Sequence, residues 1–171
     1  MKIITIAMFI VMTCLLSCQE DVDVLMASPG TMVMKVNGSP YSEWFADSPD
    51  HSAEAHNYVE RVDIVADLQR KFNGAAVEEG QLLISLDVLA EGQYWLRGNC
   101  ASSTEPGSVS FRSGYEVYAS WVVDRFFVGT VTITRLDLKN KLISGTFSIA
   151  LKGTEQEVIK TEGSFTDLPI F

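Results

Sequence analysis

The alternation of apolar and polar residues in short runs is the feature that most constrains the fold of this chain. Leu82, Ile84, Leu86 and Val88 occupy every second position, so they share one face of an extended strand. Ile143, Phe147 and Ile149 are also spaced by even numbers of positions, so they share one face of a later strand. Turn signals such as Asn-Gly and Glu-Gly separate such runs roughly every eight to twelve residues, which is typical of sandwiches and barrels. The pattern predicts an all-β protein.

We expect about nine or ten strands in an antiparallel β-sandwich or β-barrel, with no helix after the first residues of the chain. Residues 47–57 lack a clear period and are interpreted as a loop that contains at most one helical turn after Pro49. The predicted strands are residues 31–36, 41–45, 58–68, 81–88, 93–97, 108–111, 115–123, 128–136, 142–151 and 157–165.

Length and charge restrict the classes of protein. The chain has 171 residues, of which 47% are hydrophobic, and this fits one globular domain. Lys and Arg number 13 against 22 Asp and Glu, which gives a net charge of −9. Because such a chain offers no basic surface to neutralise phosphates, we do not expect it to bind nucleic acid.

The first residues resemble an export signal. Lys2 supplies an early positive charge, and residues 3–16 are apolar except for Thr5 and Thr13. This run is shorter than the roughly 20 residues that a membrane-spanning helix needs. A charged start, a short apolar core and a small residue at the end are typical of a cleaved signal peptide, here residues 1–17.

The sequence Leu15-Leu16-Ser17-Cys18 resembles the lipobox of bacterial lipoproteins. This resemblance implies cleavage before Cys18 and acylation of its thiol, so the membrane is a partner through the lipid. The alternative is a plain signal peptide with an incidental cysteine. With cleavage before Cys18, residues 18–30 form the lipidated cysteine and a flexible tether, and residues 31–171 form a single β domain.

Acidic residues follow Cys18 at once, namely Glu20, Asp21 and Asp23. Such a cluster resembles the signal that sends Bacteroidota lipoproteins to the outer face of the outer membrane; the alternative is an ordinary solvated tether. We expect a protein anchored in the outer membrane and exposed at the cell surface, with the periplasmic face as the alternative. Cys100 would be the one cysteine left in the folded domain, so no intrachain disulfide is expected.

A further pattern is formed by Val36-Asn37-Gly38, Trp44, residues 91–96, residues 129–137, residues 143–148 and residues 161–165. Together these segments resemble a family of small Bacteroidota lipoproteins that is known as a domain of unknown function. The resemblance is sharpest between Gly129 and Phe165. It implies a compact β-rich lipoprotein of unassigned activity and supplies no catalytic residues.

Two groups of side chains are candidates for a site. Trp44, Trp95 and Trp121 could form a platform for sugar rings or an apolar ligand, although bulky aromatic side chains also fill cores. The second group combines carboxylates and imidazoles in a short segment, but its spacing matches no metal loop, so it is interpreted as solvated and no metal is predicted. Its members are Asp47, Asp50, His51, Glu54 and His56.

The chain contains no serine-hydrolase elbow, zinc-protease motif, phosphate loop or Cys-x-x-Cys pair. We therefore expect a binding domain that is not an enzyme, needs no cofactor and recognises a glycan, a small apolar ligand or a protein. One alternative is a structural or accessory subunit of a cell-envelope complex. Another is a hydrolase of unknown type, since paired carboxylates can be distant in sequence.

Overall fold

The fold was analysed in a computed structural model that describes residues 28–37, 43–50, 52–58, 61–72, 75–87, 90–97, 107–114, 116–119, 127–153 and 157–171. Within these ranges no helix is long and apolar enough to cross a bilayer. Eleven strands make up this part of the chain. They are β1 (Thr31–Val36), β2 (Glu43–Ala46), β3 (Ala53–Tyr58), β4 (Arg61–Phe72), β5 (Ala75–Leu86), β6 (Gly92–Arg97), β7 (Ser108–Ser113), β8 (Glu116–Ala119), β9 (Phe127–Asp137), β10 (Leu142–Lys152) and β11 (Val158–Pro169).

Eight of the strands close into an antiparallel barrel. Their order around the wall is β11-β1-β2-β4-β5-β7-β8-β10, and β10 pairs with β11 to complete the ring. The extent of pairing varies around the ring. Strands β1 and β11 pair over six residues, whereas β8 and β10 pair through Ala119 and Lys152 alone within the described part of the chain. The all-β prediction is confirmed, and of the two expected architectures the protein forms the barrel.

Three additional strands cover edges that the short barrel strands leave open. Strand β9 pairs with residues 142–149 of β10, and β6 pairs with the far edge of β9. Strand β3 pairs with residues 61–66 of β4 and forms a parallel bridge from Ala55 to Ile170. Covering these edges satisfies backbone groups that would otherwise invite pairing with another chain.

Inward-facing residues from all around the wall fill the barrel. Every second side chain is buried from Val62 to Leu68 on β4 and from Leu82 to Leu86 on β5. Ile64, Leu68, Leu82 and Ile84 have no exposed surface. Each such side chain contributes about 1.5–3 kcal/mol through its removal from water. Val131, Ile133, Phe147 and Ile149 continue the same core on β9 and β10, as their parity predicts.

Two glycines face the core where large rings need space. A Cβ on Gly163 would meet the Phe147 ring and the backbone oxygen of Val33. A Cβ on Gly145 would meet the Phe165 ring and the backbone oxygen of Thr132, next to a β-bulge in the β9–β10 pairing. Both positions therefore require glycine for packing.

The prediction of a loop over residues 47–57 is wrong for its second half, since β3 begins at Ala53. Ala53 and Ala55 are the buried positions of this strand, and alanine carries little of the apolar signal that predicts strands. Strand β5 also begins at Ala75, earlier than predicted. The predicted signal peptide, the tether up to residue 27, Cys18, Cys100 and Trp121 lie outside the described residues.

Candidate binding site at Trp95

The structure places two of the three candidate tryptophans in opposite environments. Trp44 is 4% exposed and packs edge-on against Phe111, with ring centroids 5.1 Å apart. Trp95 is 58% exposed on the outer face of β6. Trp44 therefore fills the core, whereas Trp95 lies at the surface, and the two do not form a shared platform. Trp121 lies outside the described residues.

The alternation of β6 explains why Trp95 faces solvent. Leu96 is fully buried, and Tyr94 packs against the core on the same side of the strand. Gln93, Trp95 and Arg97 therefore project from the other side, and all three are exposed. The indole is held outside because its neighbours in the strand occupy the interior.

A small cleft of about 160 Å³ lies beside this tryptophan. It opens where the end of β5 approaches β6, and it combines an aromatic face with a carboxylate and a guanidinium group. The lining residues are Leu86, Asp87, Tyr94, Trp95, Arg97 and Gly107. This volume is below the roughly 300–1,000 Å³ of sites that enclose a drug-sized ligand.

Backbone hydrogen bonds through Gly107 hold the two sides of the cleft together. The Arg97 N–H donates to the Gly107 oxygen at 2.7 Å, and the Gly107 N–H donates to the Ser85 oxygen at 2.7 Å. Gly107 has a φ of 83°, and a Cβ there would lie 3.5 Å from the Trp95 oxygen. Glycine is the residue that adopts this backbone conformation without strain. Gly107 can therefore bond to both Arg97 and Ser85 and join β6 to β5.

The edge of the cleft is fixed by side-chain bonds from the turn before β6. The Tyr94 hydroxyl donates to the Ala90 oxygen and accepts from the Ala90 N–H at 3.1 Å. The Glu91 carboxylate accepts from the Leu136 N–H at 3.1 Å, which joins the turn to β9. The site is therefore largely preformed, which lowers the entropic cost of binding.

Hydroxyl side chains extend from Trp95 across the neighbouring strands. Trp95 is the register partner of Thr130, Thr130 of Ser148, and Ser148 of Glu162. Partners in adjacent antiparallel strands point to the same face, so these side chains form one outward row, the Trp95 row. A second row beside it contains Gln93, Thr132 and Thr146.

A row on another part of the wall has the residue types of a catalytic triad but not their order. His56, Asp63 and Ser85 are register partners on β3, β4 and β5. The Ser85 hydroxyl donates to Asp63 at 2.7 Å, whereas His56 Nε2 contacts Glu54 at 2.9 Å. A nucleophilic serine needs the imidazole as its base. Here the carboxylate stands between them, so this arrangement is structural.

In the acidic segment of residues 47–56, Asp47 and Glu54 have separate partners. Asp47 accepts two hydrogen bonds from Lys71 Nζ, at 2.8 and 2.9 Å, and Glu54 contacts His56 on β3. His51 lies outside the described residues. Among the residues that are described, no group of three or more His, Cys, Asp and Glu side chains is placed to hold a metal ion.

Of the residues that line the cleft, only Trp95 was predicted as a site residue, and the polar members Asp87 and Arg97 and the backbone position Gly107 were not. Arg97 was detectable, because it shares the parity of Trp95 in a strand whose other parity contains Leu96. Asp87 directly follows β5, and Gly107 lies ten residues after the end of β6, where hydrogen bonds to Arg97 and Ser85 hold it beside the cleft.

No known protein family, curated protein or solved structure matches the chain. The resemblance to a family of Bacteroidota lipoproteins therefore stays a prediction.

Proposed function

We propose that this protein is a non-catalytic glycan-binding domain in which Trp95 is the stacking platform. The exposed indole is the observation that carries the proposal. An indole face offers a large, rigid apolar area on which the C–H face of a sugar ring can stack at low entropic cost. The Asp87 carboxylate and the Arg97 guanidinium line the same cleft and can accept and donate hydrogen bonds to sugar hydroxyls.

The polarity of the cleft favours a sugar over an apolar ligand. An apolar ligand gains most from an enclosed, mainly apolar cavity. The barrel interior is filled by core side chains such as Leu82, Ile84 and Phe111, and the cleft beside Trp95 is small and charged. Polyhydroxylated ligands match a surface on which one aromatic ring is surrounded by hydroxyl, carboxylate and guanidinium groups.

A protein partner is less well supported by the exposed apolar side chains. A stable protein interface buries about 800 Å² on each side around a central cluster of anchors. The other large exposed apolar residues lie on different strands and turns, as in the case of Leu138 after β9 and Val158 at the start of β11. Tyr58 and Phe171 come from adjacent backbone segments beside β3, but two exposed side chains are fewer than a central cluster of anchors needs.

We further propose that a lipid on Cys18 carries this domain at the outer surface of the outer membrane. Hydrogen bonds already join Ser28 and Gly30 to the domain, so the tether comprises residues 18–27. Fully extended, these residues reach at most about 35 Å, because each residue adds about 3.3–3.6 Å. Such a tether would hold the binding face close to the membrane while leaving it free to reorient toward extracellular polysaccharide.

Binding can be tested with the full chain by affinity electrophoresis through gels that contain one soluble polysaccharide each. We expect retarded migration on at least one neutral polysaccharide and about a tenfold or greater loss of affinity in Trp95→Ala, since 1.4 kcal/mol corresponds to a factor of ten. Leu138→Ala removes an equally exposed apolar side chain and is the matched control, expected to bind like the wild type.

Three outcomes would contradict the proposal. The first is a full panel of polysaccharides without retardation, and the second is Trp95→Ala migrating like the wild type. The third is release of reducing ends during incubation, which would favour the hydrolase alternative. Recovery of one stoichiometric protein after crosslinking in membranes, together with absent retardation, would favour the accessory-subunit alternative.

A further inference from the structure

A second and larger cleft, of about 540 Å³, lies at the other end of the Trp95 row. It opens between the start of β9 and the neighbouring parts of β10 and β11. Asn37, Gly129, Ser148, Lys160 and Glu162 are the lining residues that matter for its chemistry. Its volume falls within the range of small-molecule sites.

The two clefts are joined by the row of register partners. Ser148 and Glu162 line the second cleft and are also members of the Trp95 row. Adjacent strands are about 4.8 Å apart, so the three strand intervals from Trp95 to Glu162 cover about 14 Å. A ligand that touches both ends is therefore longer than a single sugar ring.

Backbone contacts fix two walls of the second cleft. Asn37 has a φ of 54°, its N–H donates to the Lys160 oxygen at 2.7 Å, and its side-chain oxygen accepts from the Lys160 N–H at 2.9 Å. A Cβ at Gly129 would collide with the backbone of Ser148 and Ile149. Asn37 thus fixes one wall of the cleft, and Gly129 lets β9 approach β10 closely at another.

The polar groups in this cleft offer both donors and acceptors. Lys160 and Ser148 are exposed, and Glu162 is half-buried beside them. The Lys160 ammonium and the Glu162 carboxylate balance in charge, within a chain whose net charge is −9. The net negative charge of the protein repels polyanions. A locally neutral cleft on such a protein therefore favours a neutral polyhydroxylated ligand.

We propose that this cleft is a second subsite of the same binding face and that the face takes an elongated neutral oligosaccharide, with one sugar on Trp95 and a distant sugar between Ser148, Lys160 and Glu162. This inference rests on the proposed function, because it needs a sugar at Trp95. It adds that affinity depends on the length of the chain that bridges the two clefts.

The test is calorimetric titration of the full chain with length series of α-1,4-linked glucose, β-1,4-linked glucose and β-1,4-linked xylose oligosaccharides, from one to six sugars. We expect affinity in one series to rise at least about tenfold between the shortest and the longest members. In Ser148→Tyr, which places a large ring in the mouth of the second cleft, we expect short members to bind as in the wild type and the gain with length to disappear.

Thr134→Tyr is the matched control, because Thr134 is exposed on β9 and lines neither cleft. Circular dichroism and melting temperature equal to the wild type would verify that both variants are folded. Equal affinity across all lengths, or a retained gain in Ser148→Tyr, would overturn this inference while leaving the proposed function intact. Tighter binding of polygalacturonate oligomers would overturn the neutral ligand class, and binding of no oligosaccharide would overturn both proposals.

Discussion

The substitution Gly163→Ala should destabilise the barrel by overpacking one defined place in its wall. A Cβ at this position would lie 2.6 Å from Cζ of Phe147 and nearer still to the backbone oxygen of Val33. Carbon atoms in a well-packed core approach to about 3.5–4.0 Å. The oxygen belongs to β1, which pairs with β11 at this level through Met34 and Gly163, so it cannot withdraw without breaking the ladder.

The magnitude follows from two opposing contributions. Forcing an extra carbon into a packed core costs about 1–3 kcal/mol. Replacing glycine by alanine restricts the unfolded chain, which offsets about 0.4–1 kcal/mol. We therefore expect the free energy of unfolding to fall by about 1–2 kcal/mol. The melting temperature should fall by about 2–4 °C for each kcal/mol lost.

Urea denaturation followed by circular dichroism measures this loss, and a double-mutant cycle with Phe147→Leu tests its cause. A smaller side chain at position 147 removes the clash with the ring but not the clash with the Val33 oxygen. Gly163→Ala should therefore cost less in that background and still be destabilising. Thr134→Ala, on the exposed side of β9, is the control and should stay within about 0.5 kcal/mol of the wild type. Unchanged stability, or an equal cost in both backgrounds, would refute the reasoning.

Three further predictions follow from individual side chains. In urea denaturation, Trp44→Ala should lower the free energy of unfolding by about 3–5 kcal/mol, whereas Trp95→Ala should change it by less than about 0.5 kcal/mol. Hydrogen bonds from Asn140, followed by one from Arg135, lower the pKa of Asp137 from 3.8 to about 2. The stability that these bonds contribute is present above pH 3.8 and is lost as the pH falls toward 2, so melting curves of Asp137→Ala should vary less with pH in that window. Cys18→Ala should abolish incorporation of labelled palmitate and release the protein from the membrane fraction.

The sequence predicted strands best where β-branched and large apolar residues alternate without interruption. The meander of β9, β10 and β11 lies within a few residues of its predicted bounds, because Val131, Ile133, Phe147 and Ile149 carry a strong period of two. Strand β3 was missed because its buried residues are alanines, and its pairing with β4 rather than its own propensity makes it a strand.

Closure of the wall could not be predicted, because it depends on pairs that are distant in sequence. Thr31 pairs with Thr166, and no local pattern indicates such a partner. The same limitation applies to the site. The exposure of Trp95 was implied by the parity of β6, but the cleft beside it also needs Gly107 and Asp87, which other segments bring into place.

The pairing of β1 with β11 has a consequence for how the chain folds. Of the described strands, β1 is the first to be synthesised and its partner β11 is the last. Closing so long a loop carries a large entropic cost, and contacts of this kind slow folding. We expect the β9–β11 meander and the β4–β5 hairpin to form first, while Met32 and Met34 stay uncovered until the carboxyl-terminal strand arrives. Until β1 and β11 pair, their open backbone edges are the places at which the incompletely folded chain is prone to aggregate.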